Sequence, residues 1–195
     1  RLRAQESEAA RREELHRAET AYGRNEAEAA ALGRLLAVAD DELWPPLIDA
    51  VNVEPGFETA LGAALGDELG YSADAGAPVH WLELPPYDET QALPAGARPL
   101  GDFVSAPPAL ARRLSQIGVV KSAAGAKLHS ELAPGQRLVA RDGALWRWDG
   151  FTAAADAPTA AATRLAQRNR LDELEESLVA ERQGLDEARE SHAVA

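Results

Sequence analysis

The stretch VNVEPGFETALGAALGDELG, residues 51–70, decides the fold of the globular part of this chain. A short extended segment and a Pro-Gly turn lead into a helix whose large apolar residues recur every four positions, at Phe57, Leu61, Leu65 and Leu69. Ala60 and Ala64 widen this row into the apolar stripe that a helix buries against a core. The pattern therefore predicts a core helix.

Glycines also recur every four residues on a neighbouring face of this helix, at Gly62, Gly66 and Gly70. Because glycine inside a helix costs about 1 kcal/mol relative to alanine, we expect another backbone to lie against the first two. Gly70 is expected to follow the helix end with a positive φ. We interpret these glycines as structural, since a phosphate-binding loop places its glycines before the helix.

The composition limits the classes of protein to consider. The chain has 195 residues, a net charge of -12, no cysteine and no methionine. A disulfide framework and thiolate metal sites are therefore excluded. The missing initiator methionine and the helical opening Arg-Leu-Arg-Ala predict a piece of a longer polypeptide. No apolar run approaches the roughly 18 residues of a membrane span and no signal sequence leads the chain, so we expect a soluble, cytoplasmic protein without membrane contact.

Both ends of the chain carry the pattern of a coiled coil. In residues 1–39 the spacing alternates threes and fours, at Leu15, Ala18, Tyr22, Asn25, Ala29, Leu32 and Leu36. In residues 159–195 the same spacing recurs at Leu171, Leu174, Leu178, Glu181, Leu185, Ala188 and His192. Each pattern predicts a helix with one seam that needs a partner. Because both arms adjoin one globular segment, we expect an intramolecular antiparallel pair, with His16 exposed to solvent.

The globular segment is predicted to span residues 40–158. Asp40–Leu43 and the prolines after Trp44 end the first helical run, because proline disrupts a helix. Helices are predicted at Ala109–Ile117 and Ala126–Leu132, and strands at Val79–Leu84 and Val119–Val120. A hairpin is predicted from Arg137–Arg141 and Ala144–Trp148, joined by a two-residue turn at Asp142-Gly143. Strands and helices without a regular βα repeat indicate an α+β domain of roughly 120 residues.

Charge is divided unevenly along the globular segment. Residues 40–105 hold thirteen acids and one base, whereas residues 112–170 hold ten bases and four acids. A local basic surface can bind phosphates even on an acidic protein. Ordinary surface charge that is balanced by the acidic half is an equally acceptable interpretation.

The sequence offers little for catalysis. Neither Gly-x-x-x-x-Gly-Lys-Ser/Thr nor Gly-x-Gly-x-x-Gly occurs, and no serine stands in a Gly-x-Ser-x-Gly setting. His80 and His129 have no second histidine at metal-ligand spacing, so we expect core or surface roles for both. An enzyme using these histidines and loop carboxylates is a remote alternative, and the chain is expected to be neither catalytic nor metal-binding.

The whole chain resembles the hinge domain and adjoining coiled coil of bacterial SMC proteins, the structural maintenance of chromosomes ATPases. The most specific residues are Phe57–Ala60 running into Ala63–Gly66, which is similar to the family's aromatic-Glu-x-Ala-x-x-x-Ala-Leu-Gly signature. Residues 137–143 are similar to the family's late strand and Asp-Gly turn. The continuation Ala144–Gly150 is similar to alphaproteobacterial members.

The resemblance implies a function without chemistry in this part of the chain. It implies an SMC-hinge-like α+β domain of two subdomains, flanked by an antiparallel coiled coil, that pairs with a second copy in a ring-shaped homodimer. ATP and Mg would be bound at distant head domains, and this fragment would hold no cofactor. The full-length protein would be nucleoid-associated, work with accessory condensin subunits, and act in chromosome condensation and segregation. The rival interpretation is a coiled-coil stalk and head that binds a protein partner and not DNA.

Two sets of site residues follow from the resemblance and the charge pattern. DNA contacts are expected at a basic surface of the hinge and coiled-coil junction, from Lys121, Lys127, Arg137, Arg141, Arg147, Arg164, Arg168 and Arg170. The dimer interface is expected near Gly143, Trp146, Trp148, Gly150 and Phe151. Many family members carry paired glycines in this last region, whereas aromatic residues surround a single glycine here. Either these rings seal the dimer, or they belong to the core and the contact lies elsewhere.

Overall fold

The computed structural model describes residues 2–37, 44–157 and 159–193. The chain divides into two compact units: Arg1–Ala39 with Gln167–Ala195 forms the arm unit, and Asp40–Ala166 forms the globular unit. The predicted helix end at Asp40–Leu43 and the predicted boundary at residue 158 lie outside the described residues.

The arm unit is built from the two long helices α1 (Leu2–Ala37) and α5 (Ala160–Ala193). Every residue of both predicted seams is at least partly buried, and His16 is exposed. The helices run antiparallel, because Glu28 of α1 pairs with Arg170 while Glu19 pairs with Arg189. The sequence prediction of an antiparallel coiled coil is confirmed.

A polar pair interrupts the apolar seam of the arm unit. Asn25 is 8% exposed, and its side-chain amide donates a hydrogen bond of 2.7 Å to Oε1 of Glu181. The other carboxylate oxygen of Glu181 is buried and accepts no hydrogen bond from any described residue. A polar residue in a seam fixes the register of two helices at a cost in stability. The pair therefore aligns α1 with α5.

Replacing Asn25 alone should destabilise the arm unit. In Asn25→Leu the Glu181 carboxylate stays buried without its donor, so the free energy of unfolding should fall by about 1–3 kcal/mol. The double variant Asn25→Leu, Glu181→Leu joins two apolar side chains and should recover that loss. Urea unfolding followed by far-ultraviolet circular dichroism measures both changes.

The control for this pair is Glu176→Leu, at an exposed position of the same helix. It should change the free energy of unfolding by less than about 0.5 kcal/mol. A double variant less stable than Asn25→Leu would contradict the assigned role of the pair.

The globular unit has the predicted α+β composition. Its short helices are α2 (Glu58–Leu65), α3 (Ala111–Ser115) and α4 (Ser122–Leu128). Single turns of 3-10 helix occur at Leu47–Ala50, Gly66–Gly70, Leu100–Asp102, Pro108–Leu110 and His129–Glu131. The strands are β1 (Asn52–Val53), β2 (Arg98–Pro99), β3 (Val104–Ser105), β4 (Ile117–Val119), β5 (Arg137–Val139), β6 (Leu145–Arg147) and β7 (Thr152–Ala153).

The described strands form two open sheets. β1 and β3 pair antiparallel in one sheet, and the other has the order β2-β4-β5-β6-β7. In the larger sheet β4 and β5 are parallel, with α4 in the connection between them, while the remaining neighbours are antiparallel.

The predicted apolar stripe, which begins just before α2 and ends in the 3-10 turn after it, lies at the centre of the core. Its four residues Phe57, Leu61, Leu65 and Leu69 are each at most 3% exposed, which confirms the core helix. Phe57 stacks on Phe103, with ring centroids 4.0 Å apart. Two residues from the beginning of α5, Ala161 and Leu165, are buried in the same cluster. The start of α5 thus completes the core of the globular unit.

The glycine predictions for this helix are confirmed in one place and wrong in two. A Cβ at Gly62 would lie 2.5 Å from the backbone nitrogen of Ala162, so another backbone does lie against it. Gly66 has no atom within 4 Å of such a Cβ. It ends α2 instead, with φ 54°. Gly70 lies in the following 3-10 turn without a positive φ. The α-helix is therefore one turn shorter than predicted.

The other element predictions differ in detail from the structure. Val79–Leu84 is wrong as a sheet strand, because its one backbone pairing is an isolated bridge between His80 and Ser72. The helix predicted at Ala126–Leu132 begins earlier, at Ser122, and ends in a 3-10 turn. The strand predicted to open at Val119–Val120 lies two residues earlier, because β4 begins at Ile117 and ends at Val119. The helix predicted at Ala109–Ile117 is correspondingly shorter, as α3 ends at Ser115.

The predicted hairpin is present as β5 and β6, with a longer turn. The Ala140 amide donates to the Ala144 carbonyl, so the three residues between them form the loop. The Gly143 amide donates to the Ala140 carbonyl at 2.9 Å, and Gly143 alone takes a positive φ, 86°. The two-residue turn is therefore wrong, while the requirement for glycine is confirmed.

Candidate functional site

A second hairpin, from β6 to β7, ends in two exposed aromatic side chains. The Arg147 amide donates to the Phe151 carbonyl at 2.8 Å, and the Gly150 amide donates to the Arg147 carbonyl at 3.0 Å. Gly150 has φ 91°, which allows this three-residue loop. Trp148 is 49% exposed and Phe151 is 53% exposed. We call Trp148, Gly150 and Phe151 the aromatic tip.

An ion pair holds the tip in shape. The Nε of Arg147 donates to Oδ1 of Asp149 at 3.0 Å, and its Nη2 also contacts this carboxylate. The Arg147 guanidinium lies 4.8 Å from the centroid of the Phe151 ring. The hydrogen bond from Arg147 lowers the pKa of Asp149 to about 2. The same bond raises the pKa of Arg147.

Removing this arginine should raise the pKa of Asp149 back toward its ordinary value of 3.8. Because the folded-state pKa is lowered, the pair contributes stability above the ordinary pKa and loses it as the pH falls toward 2. Carbon-13 NMR titration of the side-chain carboxyl in Arg147→Gln should therefore show protonation at a higher pH than in the unmodified chain.

Asp142 provides the control for this titration. Its pKa is lowered chiefly by the Ser122 hydroxyl and the Ala144 amide, so it should not respond to Arg147→Gln. An unchanged Asp149 titration in the variant would contradict the assigned cause.

The remaining two residues predicted for the dimer interface face inward. Gly143 is buried, and a Cβ there would lie 2.8 Å from Cγ2 of Thr59. The indole of Trp146 lies directly against Gly125 of α4 and is partly buried. The sequence left open whether these aromatic rings lie at an interface or in the core. In the structure Trp146 packs inside the globular unit, and the aromatic tip lies at the surface.

Arg137, one of the basic candidates, is largely buried inside the globular unit. Its side chain is 13% exposed, lies 3.8 Å from Oε1 of Glu68 and donates to the backbone carbonyl of Ala64. Burial, with the nearby Arg113 charge, lowers the pKa of Arg137 to about 10. Arg137 therefore connects β5 to the end of α2.

Three further basic candidates are neutralised by acids. Arg147 pairs with Asp149, as described above. Arg164 donates to Asp49 at 2.6 Å, and Arg170 donates to Glu28 at 2.8 Å. Arg168 is partly buried.

Lys121, Lys127 and Arg141 are the exposed members of the basic set within the globular unit. Lys121 precedes α4 and Lys127 lies in its last turn. The Ser122 hydroxyl donates to Asp142, which ties the start of α4 to the loop that carries Arg141. The Arg141 guanidinium covers the Phe57 ring at 4.2 Å. We call these three residues the basic surface.

Neither histidine of the globular unit lies in a metal cluster. His80 contacts the Ala77 carbonyl through Nδ1 at 2.8 Å, and His129 contacts the Arg147 carbonyl through Nε2 at 2.7 Å. Among the described residues no three His, Cys, Asp or Glu side chains converge as a metal site. In the same part of the chain, no helix has both the length and the apolar character to cross a membrane.

Sequence reasoning missed the second hairpin, although a signal for it is present. Both loops carry Asp-Gly, and in both the aspartate side chain accepts from the amide two residues later: Ala144 for Asp142 and Phe151 for Asp149. The repeated dipeptide between alternating residues is a hairpin signature. Asp149-Gly150 could therefore have predicted β7.

Similar proteins are known from curated sequences and from solved structures. The chain is 47% identical over 178 residues to the chromosome partition protein Smc of Rhodopseudomonas palustris, covering 88% of this chain and 15% of that protein. It is 52% identical over 165 residues to the chromosome partition protein Smc of Cereibacter sphaeroides, covering 84% and 14%. The chain thus spans about a seventh of the length of these relatives. No family model matches it.

A solved structure has the same fold. The SMC hinge domain of Geobacillus stearothermophilus, crystallised as an asymmetric dimer, superposes with a TM-score of 0.71 at 15% identity. The match covers 100% of this chain and 97% of that one. At this identity the likeness concerns the fold.

Proposed function

This chain belongs to the SMC proteins and corresponds to their hinge domain with adjoining coiled coil, and from that premise we propose that it joins two copies of itself. The Geobacillus stearothermophilus hinge forms a dimer. Two copies joined here would hold together two long subunits of a chromosome-organising SMC protein.

The aromatic tip is the observation that carries the dimer proposal. Trp148 and Phe151 together expose two large rings on the hairpin from β6 to β7, beside the edge strand β7. Interfaces are enriched in aromatic residues, which contribute large apolar area at small entropic cost. An exposed aromatic pair that is held in place by Arg147 and Asp149 fits a surface that a partner covers.

Molar mass in solution tests this proposal. Light scattering across a dilution series and across salt concentrations should give twice the 20.7 kDa chain mass. Because the contact is apolar, the mass should persist when salt is raised. A stable monomer at all concentrations would remove the dimerisation proposal.

We further propose that the basic surface contacts DNA phosphates. Lys121 and Lys127 are exposed and form no ion pair within the described ranges. Arg137, Arg147, Arg164 and Arg170 are engaged with acids or with backbone, so we assign them structural roles instead. Lysines at a surface neutralise phosphates and release counterions, which makes such binding sensitive to salt.

Replacing both lysines should weaken DNA binding uniformly across sequences. In Lys121→Gln, Lys127→Gln the slope of log affinity against log salt should fall by about one per lysine. Fluorescence anisotropy with labelled duplex and single-stranded DNA measures it. Glu83→Gln, a substitution on the acidic half, serves as the control.

A second function follows if DNA does not bind. Intact dimers with no DNA binding even at low salt would favour the protein-interaction module over the DNA-binding hinge. The activity of the whole protein is proposed from its relatives: ATP and Mg bound at head domains, association with accessory condensin subunits and a nucleoid location. This part of the chain itself is proposed to bind and not to catalyse.

A further inference from the structure

The segment Val79–Tyr87 exposes four large apolar side chains in the globular unit. Val79 is 55% exposed, Leu82 61%, Leu84 44% and Tyr87 52%. Large apolar residues that cluster on a surface mark sites of interaction. The segment lies apart in sequence from the aromatic tip and needs its own explanation.

Both ends of this segment are fixed. The Trp81 amide donates to the Ser72 carbonyl at 2.8 Å, and its indole N–H donates to the Glu68 carbonyl at 2.8 Å. Beyond the middle, the Arg112 guanidinium donates to the Pro85 carbonyl and lies 4.2 Å from the centroid of the Tyr87 ring. The exposed position of the segment is therefore held by specific contacts.

The middle of the segment has unused backbone hydrogen-bonding groups. Leu82, Glu83 and Leu84 form no backbone hydrogen bond with any other described residue. Leu84 precedes Pro85, which restricts it to extended conformations. The sequence VHWLEL has the composition of a strand, yet it joins neither sheet. We call Leu82–Leu84 the unpaired segment.

A groove lies along one side of the unpaired segment. Trp81 lines it at the start of the segment, and within residues 82–84 Leu82 and Leu84 line it whereas Glu83 does not, as in an extended strand. Other parts of its wall are formed by Arg113 of α3, by Gln116 directly after α3 and by the Pro134-Gly135 turn. Its volume of about 560 Å³ accommodates side chains of an added strand.

The charges around this groove select a basic partner. Glu83, Asp88 and Glu89 are all exposed. Of the two arginines in the wall, Arg113 is neutralised by Glu68 at 2.9 Å and 3.1 Å, and the Arg112 guanidinium is held against the Pro85 carbonyl and the Tyr87 ring. Residues 40–105 as a whole hold thirteen acids and one base. A second copy of the segment would place like charges opposite one another, which disfavours self-pairing.

We propose that the unpaired segment adds a β-strand from another protein, an extended segment in which apolar side chains alternate with lysine or arginine. Main-chain hydrogen bonds to residues 82–84 supply the pairing, while the groove receives the apolar side chains. Lysine or arginine on the other face of the added strand lies opposite Glu83. This interaction is separate from the proposed dimer contact.

Selection from a phage-displayed library of random peptides tests this proposal. The full chain is the bait, and enriched peptides are synthesised and measured by calorimetry. We expect the enriched sequences to alternate apolar and basic residues and to slow amide hydrogen exchange at residues 82–84. Leu82→Asp should abolish binding, and Glu83→Lys should weaken it about tenfold.

Matched variants on the arm unit serve as controls. Val179→Asp replaces a side chain that is 74% exposed, and Glu176→Lys inverts an exposed charge. Both should leave peptide affinity unchanged.

Three results would overturn the proposal. The first is that the selection enriches no peptide, and the second is that the enriched peptides bind Leu82→Asp as tightly as the unmodified chain. The third is that Leu82→Asp has half the molar mass of the unmodified dimer. The last result would assign the segment to the second copy. Leu82→Asp is expected to have the same molar mass in solution as the unmodified protein. Failure of the strand-addition proposal and failure of the dimer proposal can therefore be told apart.

Discussion

Gly62→Ala should lower the free energy of unfolding of the globular unit by about 2–4 kcal/mol, although alanine is the better helix former. The added Cβ would lie 2.5 Å from the backbone nitrogen of Ala162 and 2.6 Å from Oγ1 of Thr159. The same Thr159 hydroxyl accepts a hydrogen bond from the Ala162 amide at the start of α5. To make room, the Ala162 backbone and the Thr159 side chain would have to move, and this would displace Ala161 and Leu165 from the core.

The identical substitution at Gly23 should have the opposite sign. Gly23 lies inside α1, and a Cβ there meets no atom within 4 Å. Gly23→Ala should therefore raise the free energy of unfolding by about 0.5–1 kcal/mol. Thermal and urea unfolding of both variants, followed by circular dichroism, give the comparison. Equal effects of the two substitutions would show that the contact between Gly62 and Ala162 carries no energy.

Trp148→Asp should dissociate the proposed dimer. A charged side chain in place of an indole at the centre of an interface should cost at least about 2 kcal/mol of association, or about 30-fold in affinity. The exposed position of Trp148 means that the monomer should keep its fold. Analytical ultracentrifugation over a dilution series measures the dissociation constant, and circular dichroism monitors folding.

Val179→Asp is the matched control for this variant, because it introduces the same charge at an exposed position of the arm unit. Unchanged dimer affinity in Trp148→Asp would move the interface away from the aromatic tip. Gly143→Asp is unsuitable for this purpose, since Gly143 packs against Thr59 and its substitution perturbs the fold itself.

Local periodicity made much of the fold predictable. The apolar stripe from Phe57 to Leu69 and the two heptad seams each repeat within a single helical stretch. A repeat of this kind directly predicts which face is buried. Gly143 was predictable in the same way, because the hairpin loop requires a positive φ at one residue. By contrast, the helix end at Gly66 depends on a conformation that any of three equally spaced glycines could adopt.

Contacts between distant residues could not be predicted. The pairing of Arg164 with Asp49 spans 115 residues, and that of Arg113 with Glu68 spans 45. Counting charges along the chain therefore gave a basic half without showing which of its arginines are neutralised. The strand prediction at Val79–Leu84 was wrong for a related reason. Strand propensity describes how well a residue suits a pleated surface, whereas pairing requires a partner strand from elsewhere in the chain.

The packing of Leu165 into the core and of α1 against α5 has a consequence for biosynthesis. After α1 is complete at Ala37, about 130 residues are added before the arm part of its partner begins at Gln167, a delay of roughly 6 to 26 seconds at about 5–20 residues per second. During that interval the seam of α1 is exposed at the ribosome, because its partner does not yet exist. Among the described helices α1 is translated before the others and its partner α5 after them, so the nascent chain is exposed to misassociation at α1 throughout that interval.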